Sequence, residues 1–238
     1  MSADSSATSS PEPSVGAVIV AGGSGRRMGG VRKQYLELAG EPVLLWSVRA
    51  FLHHPRVSVV VVVLPSDDAA SPPEWLAGLP VRVAAGGAER SDSVRNGLRA
   101  LDGAVEIALI HDGARPFVGR EVIDRVISAS REGGAVAAVR VTDTLKEVDD
   151  GGRITGTADR ARLWRAQTPQ GFPLRLIVNA HETAHRQGVQ ATDDAALCER
   201  MGHAVRVVEG AAENLKITSP DDLALAELLA RRLRATTA

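Results

Sequence analysis

The sequence predicts an α/β fold: a Rossmann-like, mostly parallel sheet with helices on both faces and a protruding β-hairpin arm. Three observations predict it. Short aliphatic runs recur along the first 140 residues, and most of them run into a glycine-bearing or turn-forming segment. Stretches of helical periodicity separate those runs, and strict β-α alternation implies parallel strands joined by right-handed crossovers. The chain has 238 residues, 44% of them hydrophobic, enough for one domain with a full core.

Each element has its own reason. Residues 1–14 are rich in Ser and Pro and lack an apolar stretch, so a disordered tail is expected there, with a single domain over 15–238. Gly16 to Val20 is an apolar run ending in Ala21-Gly22-Gly23-Ser24-Gly25, a buried strand feeding a glycine loop. Pro42 opens a helical pattern to about Phe51. Val57 to Leu64 is β-branched and stops at Pro65, a second strand. Val81 to Ala84 reads as a third strand, before Gly86-Gly87. Ser91 to Leu101 reads as a helix with Ser91 or Asp92 near its cap. Glu106 to Ile110 is a fourth strand running into His111-Asp112-Gly113. A helix from Arg120 to Glu132 closes at Gly133-Gly134, and Ala135 to Val139 is a fifth strand.

Residues 141–162 break the rhythm. Val141 to Val148 alternates loosely, Asp149-Asp150-Gly151-Gly152 is a turn signal, and Arg153 to Thr157 resumes a strand pattern. Such a hairpin has no full core of its own and is expected to lean on something, a second subunit being the natural support. Helices follow near 174–187, 193–201 and 221–234, with a strand at Ala204 to Val208.

Composition excludes several function classes. Lys and Arg total 28 against 29 Asp and Glu, a net charge of −1, so no global field draws nucleic acid or acidic membranes. Aromatics at 3% are too few for a platform that stacks single strands. Cys198 is the sole cysteine, which rules out an intrachain disulfide and a multi-cysteine metal site. Val59 to Leu64 is too short to span a bilayer. Only Lys33, Lys146 and Lys216 are lysines among the 28 basic residues, so each is a candidate for work that needs a compact ammonium.

Ala21 to Met28 follows the first strand, at the carboxyl edge where open α/β sheets bind ligands. Its glycines let backbone N–H groups approach phosphate oxygens, and Arg26 and Arg27 add charge. A P-loop requires Lys-Ser/Thr after its second glycine, but Val31-Arg32 follows Gly30. A dinucleotide fingerprint requires a third glycine where Met28 stands. A nucleotidyltransferase loop, in which glycines hold a triphosphate and an arginine meets its charge, fits the residues present.

Six segments carry a resemblance. They are Ala21 to Met28 with Lys33-Gln34-Tyr35, Gly86 to Val94, His111 to Pro116, Thr142 to Lys146, Leu163 to Gln170 with Thr192-Asp193-Asp194, and Asn214 to Thr218. In order and spacing they resemble the motifs of the 2-C-methyl-D-erythritol 4-phosphate cytidylyltransferases, over about residues 16–234. Two positions depart from that pattern. Gly22 stands where Ala is commoner, which should only loosen the loop, and Gly29 to Arg32 lacks the proline that often precedes Lys33.

The resemblance implies a GT-A-like nucleotidyltransferase that moves CMP from CTP to methylerythritol phosphate and releases pyrophosphate, in the cytoplasm. A ribitol 5-phosphate cytidylyltransferase is the nearest alternative; a non-catalytic nucleotide-binding protein and a dehydrogenase are more distant. It implies Arg27, Lys33, Lys216 and Arg160 as catalytic residues. It implies Ala21, Gly22, Gly23, Gly25, Gly87, Arg90, Ser93 and Asp112 at the nucleotide, with the base beside Ala21, Gly22, Gly87 and Ser93. Arg115, Thr144, Arg160, Thr168 and Lys216 would hold the polyol phosphate.

A Mg²⁺ or similar ion is expected with CTP. Asp112 could bind that ion or the ribose, or be a turn residue. Asp193 reads as a helix N-cap with Asp194 in the first turn, and the histidines lack metal-ligand spacing. Residues 141–162 are expected to form a dimerisation arm whose Arg160 serves the neighbouring active site of a homodimer.

Overall fold

A computed structural model describes residues 12–23, 32–103 and 105–237. In chain order its elements are β1 (Val15–Val20), the short pair β2 (Glu37–Leu38) and β3 (Glu41–Pro42), α1 (Val43–Leu52), β4 (Val57–Leu64), α2 (Ser66–Ala70), β5 (Arg82–Ala85) and α3 (Arg90–Ala100). There follow β6 (Ile107–Asp112), α4 (Arg120–Ala129), β7 (Gly134–Arg140), β8 (Lys146–Val148), β9 (Ile154–Thr157) and β10 (Trp164–Pro173). The chain ends in α5 (Leu174–Arg186), α6 (Asp194–Arg200), β11 (Val205–Glu209) and α7 (Pro220–Thr237).

The aliphatic runs are strands because both of their faces are buried. Val15, Ala17 and Ile19 of β1 and Val60, Val62 and Leu64 of β4 pack with Leu44, Val48 and Phe51 of α1. Val122, Ile123, Val126 and Ile127 of α4 join the same face. The alternate residues Val18, Val61 and Val63 face the other way, onto Val94 and Leu98 of α3, Ile177 and Ala180 of α5 and Leu197 of α6. A period of two with apolar residues on both sides leaves no polar position, hence the unbroken runs. A third cluster seats α7, through Ala226 and Ala230, on Leu38, Val43, Phe117 and Ile217.

The sheet order is β11-β7-β10-β6-β1-β4-β5. β1 is parallel to both β4 and β6, β4 to β5, and β11 to β7. β10 is antiparallel to β6 and to β7, and its register shifts between Ala166 and Gln170. This strand is unexpected from the sequence. Gln167, Thr168, Pro169 and Gln170 carry neither β-branched alternation nor an aliphatic run, and their side chains serve other purposes described below. The α3 cap is also corrected. Glu89 is the N-cap, in a reciprocal box with Asp92, so the helix begins at Arg90 rather than at Ser91.

Residues 1–11 of the expected tail lie outside the described residues. Just ahead of β1 the chain is already tied down. The Ser14 carbonyl accepts from the amides of Glu106 and Ile107, and Glu12 pairs with Arg56 at 3.3 Å. The hairpin forms where its turn signal stands, as β8 against β9, but only Lys146–Val148 of the loosely alternating stretch becomes strand. Leu145, Val148 and Ile154 are exposed on it.

Candidate active site

The carboxyl ends of β1, β4, β5 and β6 meet. Ala21 N donates to Val63 O at 2.8 Å, Gly86 N to Leu64 O at 2.6 Å, and Gly113 N to Val20 O at 2.9 Å. Here the backbones following β1 and β5 nearly touch. A methyl group on Gly22 would stand 3.0 Å from Ser93 Oγ and 3.1 Å from the Gly86 Cα. Gly22 therefore does more than loosen the loop: it allows the two turns to close on each other. Gly87 is tighter, since a methyl there would fall 2.2 Å from Asp92 Cβ. Ser93 Oγ accepts from Gly87 N at 3.1 Å and donates to Glu89 O at 3.2 Å, which fixes the turn before α3. Gln34 braces the other wall, donating to the carbonyls of Ala21 at 2.9 Å and Gly23 at 3.3 Å.

Of the sequence-expected residues here, Ala21, Gly22, Gly23, Gly87 and Ser93 lie in this region, whereas Gly25 and Arg27 lie outside the described residues. Lys33 opens a single 3-10 turn, Lys33–Tyr35. The turn is anchored by Arg32, which reaches Asp67 and Asp68 at 2.5 Å each, and by Tyr35, whose hydroxyl meets Asp68. Burial, reinforced by that carboxylate, pushes the Tyr35 phenol well above its ordinary pKa.

Next to this crevice is a cavity of about 280 Å³. Its lining includes Arg90, Asp112, Arg115, Thr168, Asp193 and Lys216. Asp112 ends β6 and is 8% exposed. Lys216 Nζ lies 2.7 Å from its Oδ2, Arg90 Nε 3.3 Å from its Oδ1, and Arg115 Nε 3.9 Å away. Burial alone would raise the pKa of Asp112, but Arg90 and Lys216 outweigh it and hold the carboxyl far below its ordinary value. Arg90 is raised: burial opposes its charge, and Asp194 and Asp112 more than compensate. Burial lowers Arg115, Asp112 offsets part of that, and an arginine keeps its charge regardless.

His111 supports this floor without lining it. It is buried, and burial pulls its pKa down to about 4, so it is neutral at neutral pH. Its Nε2 faces Arg115 O at 3.0 Å and its Nδ1 faces Thr168 Oγ1 at 3.1 Å. A carbonyl only accepts, so Nε2 carries the proton and Thr168 donates to Nδ1. Thr168 Oγ1 in turn accepts from Asp112 N at 3.0 Å.

Lys216 is delivered by a loop that the sequence does not mark as structural. Asn214 Nδ2 donates to Thr168 O at 2.8 Å, Arg115 Nη1 to Asn214 O at 2.7 Å, and Ile217 N to Ala114 O at 2.9 Å. Gln167 clamps the same loop, donating from Nε2 to Ala211 O and accepting at Oε1 from Ala211 N. Gln167 and Asn214 are functional positions that sequence reasoning left without a role. The signal available was their place within the motif segments Leu163 to Gln170 and Asn214 to Thr218.

Asp193 is the N-cap of α6, its Oδ1 accepting from Ala196 N at 3.0 Å, as expected. Asp194 occupies the first turn but is not merely a dipole partner. It is buried and pairs with Arg90 Nη2 at 2.9 Å and His181 Nε2 at 3.0 Å.

Thr144 and Arg160 are exposed and are not among the residues that line this cavity. The Arg160 guanidinium donates to the carbonyl of Thr142 within the arm. Among the described residues no group of three or more His, Cys, Asp or Glu is placed to hold a metal ion. Both oxygens of Asp112 are engaged by cations, so this donor set does not fit a divalent ion by itself.

A family model for 2-C-methyl-D-erythritol 4-phosphate cytidylyltransferase (IspD) matches residues 15–232. A curated protein of that name from Syntrophus aciditrophicus (strain SB) is 44% identical over 229 residues, covering 93% of this chain and 97% of the relative. Two solved structures superpose closely. The 4-diphosphocytidyl-2C-methyl-D-erythritol synthase of Anaerococcus prevotii gives a TM-score of 0.82 at 30% identity, covering 91% of this chain and 96% of its own. The 2-C-methyl-D-erythritol 4-phosphate cytidylyltransferase of Thermus thermophilus gives 0.77 at 39% identity, covering 90% and 98%.

Proposed function

This chain belongs to the 2-C-methyl-D-erythritol 4-phosphate cytidylyltransferase family, and from that premise we propose how its residues perform the reaction. The protein transfers CMP from CTP to 2-C-methyl-D-erythritol 4-phosphate in isoprenoid precursor synthesis, and a ribitol phosphate acceptor is not favoured. The observation that carries the assignment of the site is the convergence of Arg90, Arg115 and Lys216 on one buried carboxylate beside the Gly22–Gly86 crevice.

The attacking group is a phosphomonoester oxygen. Its second pKa is about 6, so it is largely dianionic at neutral pH and needs no general base. The obstacle is electrostatic: a dianion must approach the α-phosphorus of a triphosphate. Lys216 and Arg115 line the cavity and hold the acceptor phosphate in this reading, with Thr168 at its floor. Positive charge fixed in advance costs no reorganisation when the new P–O bond forms. Lys33 and Arg27 take the charge building on the α-phosphate, and Gly23 and Gly25 the triphosphate. The roles of Arg27 and Gly25 rest on the motif alone.

We assign Ala21, Gly22, Gly87 and Ser93 to the cytosine base, as the motif resemblance implies. Asp112 keeps lone pairs beyond those used by Arg90 and Lys216, and we assign them to the ribose hydroxyls. We assign any divalent ion of the reaction to the triphosphate oxygens of CTP rather than to Asp112.

We further propose that residues 141–162 clasp a second subunit. Leu145, Val148 and Ile154 expose apolar surface there, and Thr144 and Arg160, which the motif resemblance assigns to the acceptor site, are not among the residues that line this chain's cavity. In a homodimer each arm would bring them to its neighbour. CTP and polyol phosphates are charged metabolites of the cytoplasm, which is where we place the enzyme. Among the described residues no helix is long and apolar enough to cross a membrane.

Pyrophosphate release tests the reading. It is expected with CTP plus methylerythritol phosphate, and not with ribitol 5-phosphate or with ATP, GTP or UTP. Turnover restricted to ribitol phosphate would overturn it.

A further inference from the structure

We propose that Asp194, backed by His181, is a positioning residue that holds the Arg90 guanidinium in the orientation the nucleotide meets. The inference rests on the cavity being the cytidylyl-transfer site, and it gives a role to a buried pair that the mechanism above does not use.

Arg90 is the first residue of α3 and lines the cavity. Its Nε reaches Asp112 Oδ1 at 3.3 Å, and its Nη2 reaches Asp194 Oδ2 at 2.9 Å. Two carboxylates on two separate elements, β6 and α6, therefore fix both the position and the plane of one planar cation. With Asp112 alone, the fork could rotate to take both carboxylate oxygens, since bidentate pairing is the geometry guanidinium prefers. Oδ2 of Asp112 would then be contested between Arg90 and Lys216, which now holds it at 2.7 Å. Asp194 prevents that rotation by engaging the far end of the fork.

Asp194 is itself held from behind. Its Oδ1 faces His181 Nε2 at 3.0 Å, and both side chains are buried, at 1% and 3% exposure. An ionised carboxylate can only accept, so His181 presents a proton at Nε2. The α6 N-terminus is bolted to the strand that lines the cavity. Gln170 of β10 donates to Asp193 Oδ2 at 2.9 Å and accepts from Ala195 N at 3.0 Å. The result is a continuous series, His181–Asp194–Arg90–Asp112–Lys216, from the back of α5 to the acceptor-side ammonium. Asp194 is 1% exposed, so removing its charge leaves the Nη2 end of Arg90 without its anionic partner.

The test is steady-state kinetics on Asp194→Asn, His181→Gln and His181→Phe, with melting temperatures measured alongside. Asn keeps the volume of Asp194 and removes its charge. The expected result is a rise in KM for CTP of about tenfold, because the ionic hydrogen bond to Arg90 becomes one to a neutral amide oxygen, with KM for methylerythritol phosphate changed much less. Gln at 181 can still donate to Asp194 and Phe cannot, so His181→Gln should recover most of what His181→Phe loses. A purely structural role would lower melting temperature and active fraction without moving KM for CTP. Should Asp194→Asn not fold, the His181 pair decides.

Equal KM for CTP in the folded variants and the parent, or equal behaviour of Gln and Phe at 181, overturns the inference. The functional reading is tested separately by the parent, whose failure to release pyrophosphate from CTP would sink that reading first.

Discussion

The floor of the cavity and the arm at 141–162 hold their charged residues in opposite ways. At the floor, Asp112 is 8% exposed and has Lys216, Arg90 and Arg115 within 4 Å, while His111, Thr168 and Asn214 lock the backbone around it. On the arm, β8 is exposed at each of its three residues, and Val148 and Ile154 show 57% and 60% of their surface. One region is pre-assembled within the chain; the other keeps Leu145, Val148 and Ile154 exposed. Oriented charge is worth most where water is excluded, and the arm has no such enclosure of its own. The difference teaches that the chain pre-assembles its charged floor by itself, whereas the arm exposes surface that, in the dimer proposed above, a second subunit would cover.

The largest expected effect falls on the floor. Lys216→Ala removes a preorganised cation and is expected to lower kcat by roughly 10²- to 10³-fold; undiminished pyrophosphate release would remove Lys216 from the mechanism. Arg160→Ala is expected to lose about tenfold or more in kcat/KM for methylerythritol phosphate. Because Arg160 is exposed, its melting temperature should match the parent's, in contrast to floor substitutions. An Arg160→Ala enzyme with parental kinetics would break the comparison outright.

Charging the arm sharpens it further. Val148→Asp with Ile154→Asp should shift sedimentation from dimer to monomer and reduce activity in step, while leaving far-UV circular dichroism unchanged. A dimer that survives both substitutions places the contact elsewhere.

Protonation separates the regions as well. Folded His111 stays neutral to about pH 4 against an ordinary value of 6.5, and burial is the cause. Between those values the unfolded chain binds the extra proton, so the contribution is fully present above pH 6.5 and is lost as pH falls toward 4. Its upper bound is on the order of 3 kcal/mol. The melting temperature should therefore drop between pH 7 and 4.5, less so in His111→Gln; parallel slopes would contradict this. The smallest effect is at Arg32→Ala, whose surface pairs with Asp67 and Asp68 are screened by solvent and salt. It should raise KM for CTP modestly at low salt and hardly at all at high salt.

How legible each region was follows from the range of its interactions. β1 and β4 could be read directly because burial on both faces leaves only aliphatic residues, as in Val59 to Leu64. The hairpin could be read from Asp149 to Gly152 because a turn is local. β10 could not, because Gln167, Thr168 and Gln170 are spent on clamping Asn214, Asp112 and Asp193 rather than on a strand pattern. Lys216 and Asp112 were legible as motif residues, but their pairing spans 104 positions, as does that of Arg90 and Asp194. No local rule connects such partners. The cap of α3 lies two or three residues ahead of Ser91 and Asp92 because Glu89 is an unusual N-cap that depends on Asp92 to complete its box.

In the dimer proposed above, each acceptor site would be completed by the other subunit's arm. Mixing the impaired Lys216→Ala and Arg160→Ala enzymes under conditions of subunit exchange tests it most directly. Half the dimers become mixed, and in each one site has an intact floor and an intact incoming arm. Activity should return to about a quarter of the parent's. If Arg160 instead served its own chain, no dimer in the mixture would contain a whole site, and activity would stay at the level of the separate variants.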